Sequence, residues 1–437
     1  MRAVLAVLGT STALVLFACG TPEPKRPPNL LLISIDALRA DRLEAYGYDR
    51  PTSPFLAELA REGVVFENAF VNTHGTTQSH TPMLSGLYQE QHGVGMFAED
   101  GAVVKSRIPD SVALLPEILC AHGYTTIGVT DRGNAAGSFG FSRGFDRFDD
   151  RGGGIVKGSR RVLRMVQEAM TEEKPLFVFL HTYEVHSPYR PPWKVRTLLG
   201  VPEDAPEVNS EWLLERTSDA AQLAPGQVDA LSALYDAEIR HTDNELRDLF
   251  ADLDALGFFE HAVVLVTSDH GEEFGEHGGL LHRGFLFDVL LRVPLIVRGV
   301  GVTPGRSREL VSSIDITPTL LGLAGVPAPE VMEGSSVLEE RPRPVVVSQY
   351  SRERYAIRTA EWKLVREQAS GATELYHPET DPDERDNVGA RNPEVVATLV
   401  AALDRWLADH QGSTPTGAPV ELTSEEWREL ESLGYVR

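Results

Sequence analysis

Four short apolar runs stand out in the hydrophobic pattern of the chain, and a polar residue follows each of them. The runs cover residues 30–35, 125–130, 176–180 and 262–267, and they are followed by Asp36, Asp131, His181 and the sequence Ser268-Asp269-His270. Short, continuous apolar runs are typical of strands that are covered on both faces, as in parallel sheets. The pattern therefore predicts buried parallel strands with polar side chains at their carboxyl ends.

Helical patterns alternate with these runs. Residues 53–61 form one such pattern, which Gly63 ends, and a longer pattern extends from about residue 225 to about residue 256. Strands that alternate with helices predict an open, doubly wound α/β sheet. In such sheets ligands bind beyond the carboxyl ends of the strands, which is where Asp36 and Asp269 fall.

The pattern changes after about residue 326. Three short segments between residues 355 and 376 are typical of a small antiparallel sheet, and residues 393–410 have helical spacing. Thr423 and Glu426 are spaced as a capping box that starts a last helix. The predicted divisions are an α/β catalytic domain at 29–326, a C-terminal subdomain with an antiparallel sheet and a helix at 327–412, and a linker with a terminal helix at 413–437.

The first residues of the chain resemble a bacterial export signal. Arg2 precedes an apolar run over residues 3–16 that is short for a bilayer span. Leu16-Phe17-Ala18-Cys19 is similar to a lipobox, the site at which lipoproteins are cleaved and acylated. We therefore expect a signal peptide at 1–18, lipidation of Cys19 and a proline-containing tether at 19–28. An ordinary cleaved signal with an incidental cysteine is the alternative.

This reading predicts an exported bacterial lipoprotein that is anchored to the membrane and faces the periplasm or the cell surface. The formal net charge of −23 argues against nucleic-acid binding, which depends on Lys and Arg, but it permits a local basic cleft for an anionic ester. The second cysteine, Cys120, lies in an apolar stretch and is expected to be a buried small hydrophobe. No disulfide is expected.

Two segments at strand ends carry potential metal ligands. The carboxylate of Asp36 suits a hard metal ion, although an aspartate there could equally cap the next helix. Asp269 and His270 combine oxygen and imidazole ligands, which suit Zn, Mn or Fe better than Ca. Glycines on either side of the second segment let the backbone approach closely. A Gly-rich acidic surface loop is the alternative for that segment.

A third segment, residues 72–88, is rich in hydroxyl groups and contains a potential helix start. A hydroxyl at a helix N-terminus meets free N–H groups that suit a tetrahedral anion, and a metal on its oxygen would make it a nucleophile. Spacing alone does not distinguish Thr76 from Thr77 or Ser79. A Ser/Thr-rich capping region without chemistry is the alternative.

Together these segments resemble the sulfatase family, and the similar segments occur in family order. The resemblance implies an alkaline phosphatase-like fold. The segments are residues 35–43 (Ile-Asp-Ala-Leu-Arg-Ala-Asp-Arg-Leu), 84–88, 92–94, 268–278 (Ser-Asp-His-Gly-Glu-Glu-Phe-Gly-Glu-His-Gly), 292–297, 315–321, 362–365 and 374–376.

The resemblance places the family's nucleophile at Thr76, ten residues before Gly86. True sulfatases have Cys or Ser there, oxidised to formylglycine, with Pro two and Arg four residues later; here Gln78 and His80 occupy those positions. Threonine cannot yield the aldehyde, but related enzymes that act on phosphodiesters or transfer phospho-head-groups use Thr directly. The resemblance thus implies direct attack by Thr76, with His80 in place of the arginine that steadies the nucleophile.

The resemblance also implies a metal site made by Asp36, Thr76, Asp269 and His270. Ala37 replaces the second Asp of the family's metal pair, and His270 replaces the Asn of many calcium arylsulfatases. Both departures favour one transition-metal ion among the divalent candidates Mn, Zn, Ca and Mg.

His186 and His282 correspond to family residues that assist the leaving group, which suits a side chain that titrates near neutral pH. A second ion held by Glu184, His186 and His282 remains an open alternative, because paired ions recur in ester displacement.

The sequence thus predicts a metal-dependent hydrolase of phosphate or sulfate esters, with phosphate slightly preferred. Its substrate would be an anionic ester of a small molecule, a glycan or a lipid head group. The alternatives are a sulfatase in the strict sense that works without the aldehyde, a phospho-head-group transferase, and a catalytically inactive surface-binding lipoprotein.

Overall fold

The computed structural model describes residues 26–99, 102–209, 212–213, 223–224, 226–339, 343–410, 417–420 and 422–433. The predicted signal peptide, Cys19 and most of the predicted tether lie outside these residues. Across the described ranges, none of the helices combines the length and the hydropathy needed to cross a membrane.

The described strands and helices alternate along the first three quarters of the chain. The strands are β1 (Asn29–Ile35), β2 (Val64–Phe70), β3 (Met96–Glu99), β4 (Ala102–Lys105), β5 (Thr125–Val129), β6 (Arg147–Asp149), β7 (Leu176–Thr182), β8 (Ala262–Thr267), β9 (Glu273–Phe274), β10 (Leu280–Leu281), β11 (Leu295–Gly299), β12 (Gly305–Ser312), β13 (Val346–Tyr350), β14 (Arg354–Arg358), β15 (Lys363–Glu367) and β16 (Thr373–Tyr376). The helices are α1 (Pro54–Arg61), α2 (Thr76–Ser85), α3 (Gln89–His92), α4 (Leu115–Ala121), α5 (Gly154–Ala169), α6 (Trp193–Leu198), α7 (Gln227–Ala255), α8 (Asp288–Leu291), α9 (Ile316–Ala324), α10 (Pro393–Asp409) and α11 (Ser424–Ser432).

An eight-stranded sheet in the order β12-β2-β11-β8-β1-β7-β5-β6 forms the centre of the protein. Strand β11 is antiparallel to both of its neighbours, and the other pairs are parallel. The predicted α/β fold with a mostly parallel sheet is therefore confirmed.

Strand β1 shows why the central runs are apolar throughout. Successive side chains of a strand point to opposite faces of the sheet. Leu31 and Ile33 pack into the core under α5 and α7, whereas Leu30 and Leu32 pack into the core under α2, α4 and α9. Because helices cover both faces, the positions from Leu30 to Ile33 are all apolar.

The sheet brings together the residues that follow its central strands. Strand β1 lies between β7 and β8, and Ser34 is paired with His181 on one side and Thr267 on the other. The residues immediately beyond, Asp36 after β1 and Asp269 after β8, therefore meet at one edge of the sheet.

The C-terminal part contains an antiparallel sheet in the order β13-β14-β15-β16, and α10 packs on it through Leu399 and Leu403. The sequence predicts three of these strands and the helix, but not β13. The terminal helix α11 begins with the predicted capping box: Thr423 N–H donates to Glu426 Oε2 over 2.8 Å, and Glu426 N–H donates to Thr423 Oγ1 over 3.3 Å.

The prediction that Cys120 is buried is wrong, because its side chain is exposed. Helix α4 directs Leu115 and Leu119 into the core, and the next position along the helix turns away from that face.

A buried cluster of charges joins the C-terminal sheet to the α/β part of the chain. The Nζ atom of Lys363, a residue only 1 % exposed, lies 2.8 Å from Asp288 Oδ1 on α8 and 2.6 Å from Glu384 Oε1. Arg358 on β14 also contacts Asp288. The cluster therefore fixes the C-terminal sheet against the chain that follows the Asp269-His270 segment.

We expect Lys363→Met to lower the free energy of unfolding by about 3 to 5 kcal/mol, because it leaves buried carboxylates without their cation. The measurement is urea unfolding of the purified protein. Lys157→Met on the exposed face of α5 is the matched control and should stay within about 0.5 kcal/mol of the wild type. Equal stability of Lys363→Met and the wild type would show that the cluster contributes no net stability.

Candidate active site

Asp36, Asp269 and His270 form a buried group at the carboxyl edge of the sheet. None of the three has exposed surface, and one potential ligand atom from each lies within 4.8 Å of the others. Strands β1 and β8 position them, and Gly271 lets the backbone of Val289 pass close behind them: a Cβ atom at position 271 would lie 1.9 Å from the carbonyl oxygen of Val289.

Three atoms of this group have no hydrogen-bond partner in the described part of the chain: Asp36 Oδ1, Asp269 Oδ2 and His270 Nε2. Buried polar atoms are rarely left unpaired. His270 Nε2 lies 3.6 Å from each of the two oxygens, a spacing that fits ligands of one ion with bonds of about 2 Å. The other ring nitrogen, Nδ1, lies 2.8 Å from Gly271 O. The group therefore fits a metal ion.

The charges of the group also favour a bound cation. Burial and the negative charge of Asp269 raise the pKa of Asp36 well above its usual value. Two adjacent carboxylates without solvent are unfavourable unless a positive charge neutralises them.

Thr76 is the first residue of α2 and follows Gly75, whose φ is 123°. Its hydroxyl donates to Asp36 Oδ2 over 3.2 Å. By contrast, Thr77 Oγ1 donates to Asn134 O over 2.7 Å, and Ser79 Oγ donates to Asp269 O over 2.5 Å. Of the three hydroxyls that spacing leaves open, the Thr76 hydroxyl is therefore the one that hydrogen-bonds a carboxylate of the group.

His80 lies one turn behind Thr76, beneath the group. Its Nδ1 is 2.8 Å from Thr76 O, and its Nε2 is 2.8 Å from Ser34 Oγ. The same Nδ1 is 3.6 Å from Asp269 Oδ2. Burial lowers the pKa of His80. The ring thus contacts the backbone at the start of α2 and does not line the cavity described below.

Two residues near the group receive no role from the sequence. His181 Nε2 lies 3.3 Å from Asp36 Oδ2. The Tyr183 hydroxyl hydrogen-bonds the Thr76 side chain and accepts the Asn134 N–H over 3.0 Å. Burial and the charge of Asp36 raise the pKa of Tyr183 well above its usual value. The feature of the sequence that could have identified His181 and Tyr183 is their position at the end of β7, the strand beside β1.

His186 and His282 lie together, with ring centroids 5.1 Å apart. His186 Nδ1 is 2.6 Å from Ser187 O, and His282 Nδ1 is 2.9 Å from Glu272 Oε1. Burial lowers the pKa of His186 to about 4 and that of His282 well below its usual value. Glu272, a buried partner that the sequence does not single out, also accepts the Tyr189 hydroxyl over 2.9 Å.

The second metal set, Glu184 with His186 and His282, is not assembled. Glu184 Oε2 accepts the N–H of Ile155 over 2.9 Å, and its Oε1 is 3.4 Å from His241 Nε2. The free N–H groups at the start of α5 attract this carboxylate. Among the residues that the structure describes, Asp36, Asp269 and His270 form the one group of three suitable ligands.

A cavity of ≈ 210 Å³ opens above Thr76. Thr76, His186 and His282 line it together with Lys105, Arg283 and Tyr350. The nucleophile candidate and the two histidines that the sequence assigns to the leaving group therefore face one space.

Residues 28–326 match the family described as Sulfatase. Arylsulfatase K of Gallus gallus is 26% identical over 458 residues, which cover 87% of this chain and 83% of that protein. Choline-sulfatase of Rhizobium meliloti (strain 1021) is 32% identical over 213 residues, 46% of this chain and 41% of that protein. The match to choline-sulfatase thus spans less than half of that protein's length.

The solved structure of the phosphonate monoester hydrolase of Agrobacterium radiobacter has a TM-score of 0.70 and 20% sequence identity to this chain, over 88% of this chain and 96% of that one. At this identity the likeness concerns the fold. The family match covers well over half of the chain and includes the strand-end segments that build the site. The chain therefore belongs to the sulfatase family and is an ester hydrolase with the alkaline phosphatase-like fold.

Proposed function

We propose that this protein is a metal-dependent hydrolase that cleaves sulfate or phosphate esters with Thr76 as its nucleophile. The observation that carries the proposal is the convergence of unpaired, buried ligand atoms from Asp36, Asp269 and His270 directly beside the Thr76 hydroxyl.

A divalent ion held by Asp36, Asp269 and His270 beside Thr76 would lower the pKa of the Thr76 hydroxyl and offset negative charge on the ester oxygens. The mixed set of carboxylate and imidazole ligands favours a transition metal such as Mn or Zn over Ca.

The protein's own groups position the nucleophile. Thr76 stands at the N-terminus of α2, where free N–H groups and the helix dipole favour an anionic ester. The Tyr183 hydroxyl contacts the Thr76 side chain, and because its pKa is raised it stays protonated and can donate to the Thr76 oxygen. His80 holds the Thr76 carbonyl from below.

The bond changes are those of a double displacement. Thr76 Oγ1 gives its proton to the neutral ring of His282 or His186, which line the same cavity, and bonds to the sulfur or phosphorus atom while the bond from that atom to the ester oxygen breaks. The same ring gives this proton to the departing oxygen. In the second displacement it takes a proton from the water that attacks the sulfur or phosphorus atom, and it returns that proton to Thr76 Oγ1 as the ester on Thr76 is cleaved. Glu272, which contacts His282 Nδ1, would stabilise the protonated form of that ring.

The comparisons favour sulfate esters and add one enzyme that acts on a phosphorus ester. The curated relatives include an arylsulfatase and a choline-sulfatase, and the fold is shared with a phosphonate monoester hydrolase. Sulfate and phosphate esters are both tetrahedral and anionic, so the same site chemistry serves either one.

We expect Thr76→Ala to lower kcat/KM by at least about 10³-fold, because it removes the attacking oxygen. The measurement is hydrolysis of 4-nitrophenyl sulfate, 4-nitrophenyl phosphate and bis(4-nitrophenyl) phosphate by Mn- or Zn-loaded protein. Thr76→Ser should keep part of the activity, and Thr77→Val tests the neighbouring hydroxyl. If Thr76→Ala retains turnover while Thr77→Val loses it, the nucleophile is Thr77.

We expect about one divalent ion per chain in the wild type and loss of that ion in His270→Ala and Asp269→Asn, because the first change removes a ligand and the second removes the negative charge of another. Elemental analysis measures the metal directly. A chelator should lower the Tm of the wild type but not that of His270→Ala, since only the wild type has an ion to lose. His122→Ala, at an exposed position, is the control; full metal content in His270→Ala would refute the site.

We expect His282→Ala to slow esters with poor leaving groups about 10²-fold or more, and 4-nitrophenyl esters much less, because only a basic departing oxygen needs a proton donor. The measurement is kcat/KM across aryl esters of graded leaving-group pKa. Equal losses for all leaving groups would assign His282 another role, and His186→Ala tests the alternative donor.

A further inference from the structure

We infer that the substrate carries a second anionic group besides the ester that is cleaved, and that Lys105 and Arg283 bind this group in the wall of the cavity. The inference rests on the proposed function, which identifies Thr76 as the place in the cavity where the ester reacts.

The charge of the cavity wall is the first observation. The chain contains 64 acidic and 41 basic residues, so a wall of average composition would contain carboxylates. Among the described residues that line the cavity there is no Asp or Glu, whereas Lys105 and Arg283 both line it. Asp36 and Asp269 lie beneath Thr76, where the proposed metal ion would neutralise them. The wall is thus selectively basic within an acidic protein, which suits an anionic ligand.

The position of Lys105 is the second observation. It ends strand β4 and is partly buried, with Nζ 2.7 Å from Asn134 Oδ1. Asn134 donates its N–H to the Tyr183 hydroxyl over 3.0 Å, and that hydroxyl contacts Thr76. A single residue, Asn134, therefore connects the ammonium group to the surroundings of the nucleophile.

The backbone around Lys105 is fixed from the opposite end of the chain. Val420 N–H donates to Lys105 O over 2.9 Å, and Arg107 N–H donates to Ala418 O over 3.0 Å. The terminal helix follows, and Leu433 beyond it reaches the cavity wall. The backbone of Lys105 is therefore fixed by these hydrogen bonds. Binding of a ligand by its side chain does not require this segment to become ordered first.

Burial disfavours the charged form of a lysine. Here burial lowers the pKa of Lys105 to about 7. An anion in the cavity would favour the charged form and form a charge-assisted hydrogen bond with it. Arg283, exposed at the rim next to His282, offers a second cation to the same group. A carboxylate, a sulfate or a phosphate supplies the required oxygens.

The test compares binding of non-hydrolysable sulfonates to the full, Mn-loaded chain by calorimetry. Benzenesulfonate carries one anionic group, and 3-sulfobenzoate and benzene-1,3-disulfonate carry two. We expect the wild type to bind the dianions about tenfold more tightly, the effect of one charge-assisted hydrogen bond. In Lys105→Met this preference should fall to about twofold or less, and Lys105→Arg should retain most of it.

Lys194→Met, at an exposed position on α6, should keep the full preference, and Arg283→Gln should lose part of it. Circular dichroism confirms the fold of each variant, and Lys105→Gln provides a second neutral side chain. Equal affinity for monoanions and dianions in the wild type, or an undiminished preference in both neutral Lys105 variants, would overturn the inference. The two proposals can also be separated. If the preference for dianions depends on Lys105 but no ester is turned over in a Thr76-dependent way, the anion site is supported and the proposed function is refuted.

Discussion

The burial of two carboxylates beside each other is the constraint on which the site depends. Asp36 and Asp269 have no exposed surface, and the sheet brings them together because β1 and β8 are parallel neighbours in fixed register. Burial of like charges raises the pKa of Asp36 and makes a bound cation the natural way to stabilise the pair. His270 and the N-terminus of α2 lie beside this pair of carboxylates, where a potential metal ligand and free N–H groups help to stabilise negative charge.

A buried arginine holds the two loops that carry Asp36, Asp269 and His270. Arg39, only 3% exposed, lies 2.7 Å from Asp41 and 2.6 Å from Glu276, and it donates to Glu272 O over 2.9 Å. It thus joins the loop after β1 to the loop after β8. The planar guanidinium suits several acceptors at once, so residues of the motif outside the proposed metal site still fix the distance between the proposed ligands.

Much of this arrangement could be predicted from the sequence because strand ends are local features. Apolar runs indicate β1 and β8, and parallel strands place Asp36 and Asp269 at the same edge. The contact between Tyr183 and Thr76 could not be predicted, because it depends on which strand lies beside β1. The second metal site, with Glu184, His186 and His282, could not be assessed from the sequence for a similar reason. The start of α5, which attracts the Glu184 carboxylate, lies near Glu184 only in the folded chain.

The cavity divides into a floor and a wall that come from different parts of the chain. The floor is formed by Thr76 at the start of α2, beside the proposed metal ligands, where almost any change would disturb those ligands. The wall includes Lys105 on a hairpin that residues 417–420 hold, together with Leu433. Selectivity could therefore diverge among descendants of a common ancestor through changes in the hairpin and the C-terminal segment, while the reaction itself is inherited unchanged.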